Sequence, residues 1–427
     1  MYLKTFFFSF CLSLTACQLT PAKDQQVVKL VLDIEYLNFM DQQAQLSQPL
    51  QTRHSAQQHM IKAITAYMTN QPEASTLWHN FWQVCDLNGI DVYEPYLFSI
   101  WLRRQTKDIH PILPAEACLR SQGHDDLADE LKEFEARNQA LFSKAKFRGL
   151  QKSLSKALLW DGLKVLDMGI TFFRPLFNIE IAGQTVVATF DTGSEMTLFG
   201  NQLIEKWKLK KNGEHNSVSS HIGNRISNSY RAPTIHIGDI TIDNLTVGTT
   251  ITPYNNIVVL GMDVLRQFDN LLVTQQDITF NSRQSIASDK LQPMYLQQNT
   301  LFTQMTINNH LIWLHIDTGS DAPLTTFIES TPFLRTGDET FTKIPVAQSQ
   351  GKTQISQVVK PITLGFLNDQ SLDALNTIVI QGSYPHAIKG VVGTLGAPII
   401  HTIGGAYFDF KNMQIGFFNI EDKQTHE

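Results

Sequence analysis

The chain has 427 residues, 42% of them hydrophobic and 17% charged, and a net charge of −6. That length exceeds one compact core and predicts two or three folded units, while the composition excludes disordered and collagen-like classes. The mild acidity and the lack of any Lys/Arg-rich run remove nucleic acid as an expected partner.

Residues 1–16 read as a lipoprotein signal peptide. Lys4 supplies a positive n-region and residues 5–14 a short apolar h-region, too short to span a bilayer. The segment ends in Leu14-Thr15-Ala16-Cys17, which resembles the lipobox of bacterial lipoproteins. The resemblance implies cleavage before Cys17, lipidation of its thiol and a lipid-anchored place in the cell envelope. Gln18, where that family uses Asp for inner-membrane retention, implies the outer membrane, facing the periplasm. An ordinary signal peptide followed by a chance cysteine is the alternative. Residues 17–51 then form a Gln-rich tether around an apolar stretch at 27–40.

Residues 52–165 carry helical spacing and predict an α-helical N-terminal domain. Leu77, Trp78, Phe81, Trp82, Val84 and Cys85 fall near i, i+3/i+4 positions within 73–87. Further helical stretches are expected at 115–120 and 125–158, the latter through Leu127, Leu131, Phe134, Leu141 and Phe142. This domain reads as a cap or spacer, or as a docking module for a protein partner. Cys85 and Cys118 stand either as a disulfide or as two buried thiols. A bridge would close a loop of about 33 residues, a stabilisation of about 4 kcal/mol by chain entropy. No Cys-x-x-Cys or Cys/His ligand spacing appears, and His54 and His59 are off the helical spacing for ligands. Neither a metal nor another cofactor is expected.

After Trp160 the pattern becomes short β-rich runs broken by Gly, Asn and Asp. This all-β part divides into a first lobe at 166–288 and a second at 289–427, related by an internal duplication. In the first, Leu176-Phe177-Asn178-Ile179 leads to an apolar run and then to Asp191-Thr192-Gly193-Ser194. In the second, Leu301-Phe302-Thr303-Gln304 leads likewise to Asp317-Thr318-Gly319-Ser320. A given tetrapeptide arises by chance in about one chain of this length in 170, so two copies in matching contexts are not accidental. Downstream, Gly223 and Gly351 sit in polar stretches suited to hairpins. Apolar runs then reach Gly261 and Gly396, and strands are expected at 277–280 and 407–418.

Through these two motifs the sequence resembles the aspartic protease superfamily, over roughly 170–420, with lobes that look closer to the short retropepsin type than to pepsin. The resemblance implies a bilobal all-β protease domain, each lobe a β-barrel giving one catalytic aspartate, Asp191 and Asp317. It also implies that Thr192 and Thr318 reach across to the opposite lobe, that Gly223 and Gly351 tip flaps over the substrate, and that the segments at Gly261 and Gly396 pack under the catalytic loops. The chemistry is coherent. Two adjacent carboxylates cannot both ionise, so one activates water while its protonated partner polarises the peptide carbonyl. Gly193 and Gly319 are expected to permit a sharp turn beneath each carboxylate and to expose backbone N–H groups to it. The Ser194 and Ser320 hydroxyls are expected to donate to the carboxylates and draw activity toward acid pH. Departures from the family are Glu195 and Asp321 directly after the motifs, Pro323 in the second lobe alone, and no flap Tyr. The expected activity is therefore an envelope-anchored aspartic endopeptidase acting on an extended peptide or unfolded protein. The competing reading is an inactive peptide-binding lipoprotein with the same fold.

Overall fold

The computed structural model describes residues 55–88, 90, 92–106, 113–138, 145–165, 170–219, 223–250, 255–284, 286–297, 299–348, 351–367, 370–384 and 391–418. The signal segment, Cys17 and the tether lie outside these residues. So do Leu141 and Phe142.

Among the described residues five helices come first: α1 Ser55–Met68, α2 Ala74–Val84, α3 Tyr93–Thr106, α4 Leu113–Ser121 and α5 Asp125–Asn138. Helix α2 buries Trp78, Phe81 and Trp82 on one face, as their spacing dictates. Both indole N–H groups donate to the Ser99 hydroxyl of α3, at 2.9 and 2.8 Å. Ser99 in turn donates to the Pro95 carbonyl at 2.7 Å, so two buried indoles and one hydroxyl are satisfied together. Cys85, in the left-handed conformation, ends α2. It is bonded to Cys118 of α4 with the two Cα atoms 5.4 Å apart, so the disulfide, not the free-thiol alternative, is the state present. Among the described residues no helix is long and apolar enough to cross a membrane.

The helical reading of 125–158 ends too late. Helix α5 stops at Asn138, and Lys146–Arg148, Leu154–Ala157 and Leu159–Val165 are strands. Leu150, Leu154 and Leu158 recur every four residues, which imitates a helix. Backbone pairing overrides the spacing: Leu154–Ala157 aligns along Asp277–Phe280, and Lys146–Arg148 along Ile240–Asp243. An unpaired sheet edge would leave a row of unsatisfied N–H and C=O groups.

The two halves of the β region run through the same pairings in the same order. In the first, Ile170–Ile181 pairs antiparallel with Gln184–Phe190, which pairs parallel with Val258–Leu260. That strand pairs antiparallel with Leu198–Gly200, which pairs parallel with Thr246–Thr250, itself antiparallel to Gly223–Arg231. The second half repeats this with Thr300–Ile307, His310–Asp317, Val391–Gly396, Leu324–Phe327, Ser371–Ile380 and Gly351–Gly365. There the last strand also pairs with the first, Thr306 against Gly365, and closes a barrel. In the first half the matching contact, Glu180 against His236 and Ile181 against Ile235, is made by a separate short strand, Ile235–Ile237, that follows Gly223–Arg231 after a break at 232–234.

A single sheet joins the halves. Its central pair sets Asn270–Thr274 antiparallel to Gly405–Asp409, with Leu272 opposite Tyr407. Outward on one side lie Asp277–Phe280 and Leu154–Ala157; on the other lie Gln414–Phe418 and Leu291–Gln297. The closing stretch expected at 407–418 is therefore a two-strand hairpin. Because 154–157 edges this joining sheet, a fragment beginning at 170 is expected to melt well below one beginning at 145. Thermal unfolding of both fragments followed by circular dichroism checks this; equal midpoints would show that the added strands contribute nothing.

Candidate active site

Each half delivers its aspartate at the end of a buried strand, and each strand is held by a parallel neighbour. Phe190 lies opposite Leu260, and Asp317 lies opposite Gly396. The Asp191 N–H donates to the Leu260 carbonyl at 2.9 Å. The apolar runs before Gly261 and Gly396 thus seat the two Asp-Thr-Gly-Ser loops. A Cβ on Gly261 would lie 2.4 Å from the Met196 carbonyl carbon, and one on Gly396 would lie 2.0 Å from the Ala322 oxygen. Met196 and Ala322 both stand five residues after their aspartates, so the two loops are supported at matching points.

Thr192 and Thr318 bind the halves together. The Thr192 N–H donates to Thr318 Oγ1 at 3.0 Å, and the Thr318 hydroxyl donates to the Phe190 carbonyl at 3.0 Å. Reciprocally, the Thr318 N–H donates to Thr192 Oγ1 at 3.1 Å, and the Thr192 hydroxyl donates to the Ile316 carbonyl at 2.6 Å. Both side chains are fully buried, so these four bonds are shielded from competing water.

The motif glycines have a different reason from the one the sequence suggests. Neither has a positive φ. Instead each lies against the opposite carboxylate: a Cβ on Gly193 would fall 2.4 Å from Asp317 Cγ, and one on Gly319 would fall 2.3 Å from Asp191 Oδ2. Close approach, not turn geometry, requires glycine here. The Gly193 N–H donates to Asp191 Oδ1 at 2.8 Å, and the Gly319 N–H to Asp317 Oδ1 at 3.0 Å.

The serines also differ from expectation. The Ser194 hydroxyl donates to the Met196 carbonyl at 2.7 Å and closes its own loop. Its backbone N–H, rather than its hydroxyl, supports the Asp191 carboxylate. For Ser320 the recorded bond is likewise a backbone one, its N–H to the Asp317 carbonyl at 2.9 Å. Carboxylate stabilisation therefore rests on main-chain donors, as expected of the motif glycines and contrary to the expectation for the serine hydroxyls.

The carboxyl groups of Asp191 and Asp317 hydrogen-bond each other. Both keep some contact with solvent, yet protein atoms crowd them closely enough for desolvation to govern their titration. Desolvation raises Asp191, opposed by the hydrogen bond from Asp317 and the N–H groups of Gly193, Gly319 and Ser194. Desolvation raises Asp317 further, reinforced by the charge of Asp191 and, less, of Asp321. The pair thus shares one proton.

One asymmetry in the sequence now has an explanation. The Asp263 carboxylate accepts from both the N–H and the hydroxyl of Thr197, each at 2.8 Å. At the equivalent places in the second half stand Pro398 and Pro323. Pro323 has no N–H to satisfy, so no carboxylate is needed, and its carbonyl accepts from the Gly396 N–H at 3.1 Å. Gly223 and Gly351 each open the return strand of a hairpin, paired with Ser219 and Gln348. Among the described residues no group of three or more metal-ligating side chains occurs.

The titration of Asp317 fixes a sign for stability. Its folded pKa lies above the ordinary carboxylate value, so the folded state binds more protons than the unfolded state in that window, and stability falls as pH rises through it. Asp317→Asn removes this penalty. The variant is expected to melt higher than the parent at pH 7–8, with the difference disappearing below about pH 4. Melting temperatures across pH check it; a difference independent of pH would contradict the raised pKa.

A family model described as "gag-polyprotein putative aspartyl protease" matches residues 177–267. No curated protein matches the chain. Among solved structures, the chain is similar to Basic 7S globulin from soybean, at 9% identity over 62% of this chain and 95% of that one, with a TM-score of 0.39. It is similar to the crystal structure of edgp at 10% identity, over 64% and 96% of the two chains, with a TM-score of 0.36. It is also similar to a retropepsin-like aspartic protease from Rickettsia conorii at 14% identity, over 32% and 94%, with a TM-score of 0.21. The family match within the first half, on a chain of two β halves, supports an aspartic protease-like superfamily for this protein.

Proposed function

We propose that this chain is an aspartic endopeptidase whose two lobes, tandem copies of one unit, each contribute one carboxylate to an Asp191/Asp317 dyad. The observation that carries the reading is the shared hydrogen bond between the two carboxyls, held in register by the reciprocal threonine bonds. Asp191, ionised, takes a proton from water as that water attacks the peptide carbonyl carbon. Asp317 gives its proton to the carbonyl oxygen, and the resulting tetrahedral diol has no net charge to bury. Collapse of the diol breaks the C–N bond, a proton passes to the leaving amine, and one proton again lies between the carboxyls. The hairpins tipped near Gly223 and Gly351 close over an extended peptide or unfolded segment. Cys17, lipidated after removal of residues 1–16, holds the enzyme at the outer membrane facing the periplasm, and the 17–51 tether sets its reach.

Asp191→Asn and Asp317→Asn are each expected to abolish hydrolysis of an unstructured peptide library, and the double variant to be no worse, because the pair acts as one unit. Residual turnover above about a tenth of wild type in either single variant would sink the dyad assignment. Preserved envelope function in both variants would favour the peptide-binding alternative instead. The rate profile is expected to be bell-shaped with an optimum between about pH 4 and 6. Ser194→Ala should leave that optimum in place, since its hydroxyl serves the loop and not the carboxylate.

Gly193→Ala supplies an independent check. The added methyl can be accommodated only by swinging the Asp317 carboxylate aside. The variant should fold with a near-normal melting temperature yet lose about 100-fold or more in kcat/KM. Full activity in Gly193→Ala would mean that Asp317 is not held where the reaction needs it.

A further inference from the structure

The helical domain touches the protease part at one place that bears on the dyad. Tyr67, in the last turn of α1, is buried, and its hydroxyl oxygen accepts the Asn299 N–H at 3.1 Å. The Arg266 side chain donates to the same oxygen, and Arg266 caps the short helix Met262–Leu265 that follows Gly261. Asn299 sits at the tip of the hairpin joining Leu291–Gln297 to Thr300–Ile307, in the left-handed conformation at φ 56°, and is itself buried. Its side-chain amide donates to the Glu195 carbonyl at 2.6 Å. Glu195 is the residue immediately after the first motif. Three residues on from Tyr67, the Asn70 amide donates to the Phe410 carbonyl at 3.0 Å, which pins the end of α1 to the joining sheet.

We propose that Tyr67 is a positioning residue for the first catalytic loop: through Asn299 and Arg266, the helical domain holds the 191–195 loop in the geometry the dyad requires. This rests on the peptidase reading above. The physical case is one of anchoring. The start of the loop is fixed by the Asp191 N–H bond and by Thr192. Its far end is held by the Met262 N–H donating to the Ser194 carbonyl at 2.8 Å and by the Asn299 amide on Glu195. Tyr67 ties together the two elements that make those far-end contacts, the 299 hairpin tip and the 262–266 helix. The charged groups near its hydroxyl are Arg266 and Glu195, and its own proton is held well above the ordinary phenol range by burial, so it stays neutral at every working pH. The helical domain is thereby a part of the site and not a spacer.

The test uses the full chain with Tyr67→Phe, which keeps the ring and removes the acceptor, and with Asn299→Gly, which keeps the left-handed backbone and removes the amide. Both are assayed well below their melting temperatures. A slackened loop presents Gly193 and Ser194 N–H groups less well to Asp191, so its ionised form is less favoured. The expected result is a kcat lowered between about 5- and 100-fold with KM nearly unchanged, and the acid limb of kcat/KM moved to higher pH. The double variant should lose no more than the worse single one, and hydrogen exchange in 190–200 should quicken in all three. Wild-type kinetics in both variants, or a loss that only follows the unfolded fraction with an unchanged pH profile and unchanged loop exchange, overturns the proposal. If the wild type hydrolyses no peptide, the peptidase reading fails by itself. Loop exchange then decides the present one, upholding it if faster in the variants and overturning it if unchanged.

Discussion

Two carboxyl groups in hydrogen-bond contact repel unless they share a proton, and that contact lasts only if the elements bearing them cannot drift apart. Four buried hydrogen bonds through Thr192 and Thr318 supply this restraint. Each hydroxyl both accepts a main-chain N–H and donates to a main-chain carbonyl of the other half, so neither half can move without leaving buried groups unsatisfied, at roughly 1–3 kcal/mol each. The other features of the centre follow from this. Both motif glycines lack a Cβ because the opposite carboxyl occupies that space. The joining sheet, centred on the pairing of 270–274 with 405–409, carries the same register outward from the dyad.

Holding the dyad works against folding. Desolvation raises both carboxyls, and the second carries the additional charge of its neighbour. At neutral pH the folded state therefore retains a proton that the unfolded chain releases, which lowers stability. The compensation lies in main-chain donors on the carboxyls and in the apolar strands that bring them together, among them Phe190, Val258, Leu260, Leu314, Ile316 and Leu395, all buried.

The halves are alike in pairing order but not in finish. The second closes through one continuous strand where Thr306 meets Gly365, whereas the first closes through two, with a break at 232–234 before Ile235–Ile237. Below the loops, an Asp263–Thr197 pair in the first half answers to two prolines in the second. The extra support recorded for the first loop comes from elsewhere, by way of Tyr67 and Asn299.

Much was legible in the order of residues alone. A repeated Asp-Thr-Gly-Ser behind an apolar run is a local statement, and so are the glycines that later meet those loops, the two hairpins and the Trp/Phe spacing of α2. Each depends on neighbours in sequence and on a period of 2 or 3.6. What the chain order could not disclose depends on partners far apart. The strand at 154–157 imitates a helix until its partner at 277–280 is known. The motif alone points the Ser194 hydroxyl to Asp191, and only the folded loop directs it to the Met196 carbonyl. The Cys85–Cys118 bridge needed two helices brought to 5.4 Å. Tyr67 and Asn299, 232 positions apart, belong to no motif, since hydrogen bonding across that distance leaves no local pattern. Sequence determined which groups are candidates for the chemistry, because chemistry needs particular side chains. Tertiary structure decided what holds them, because holding is done largely by main-chain atoms that every residue carries.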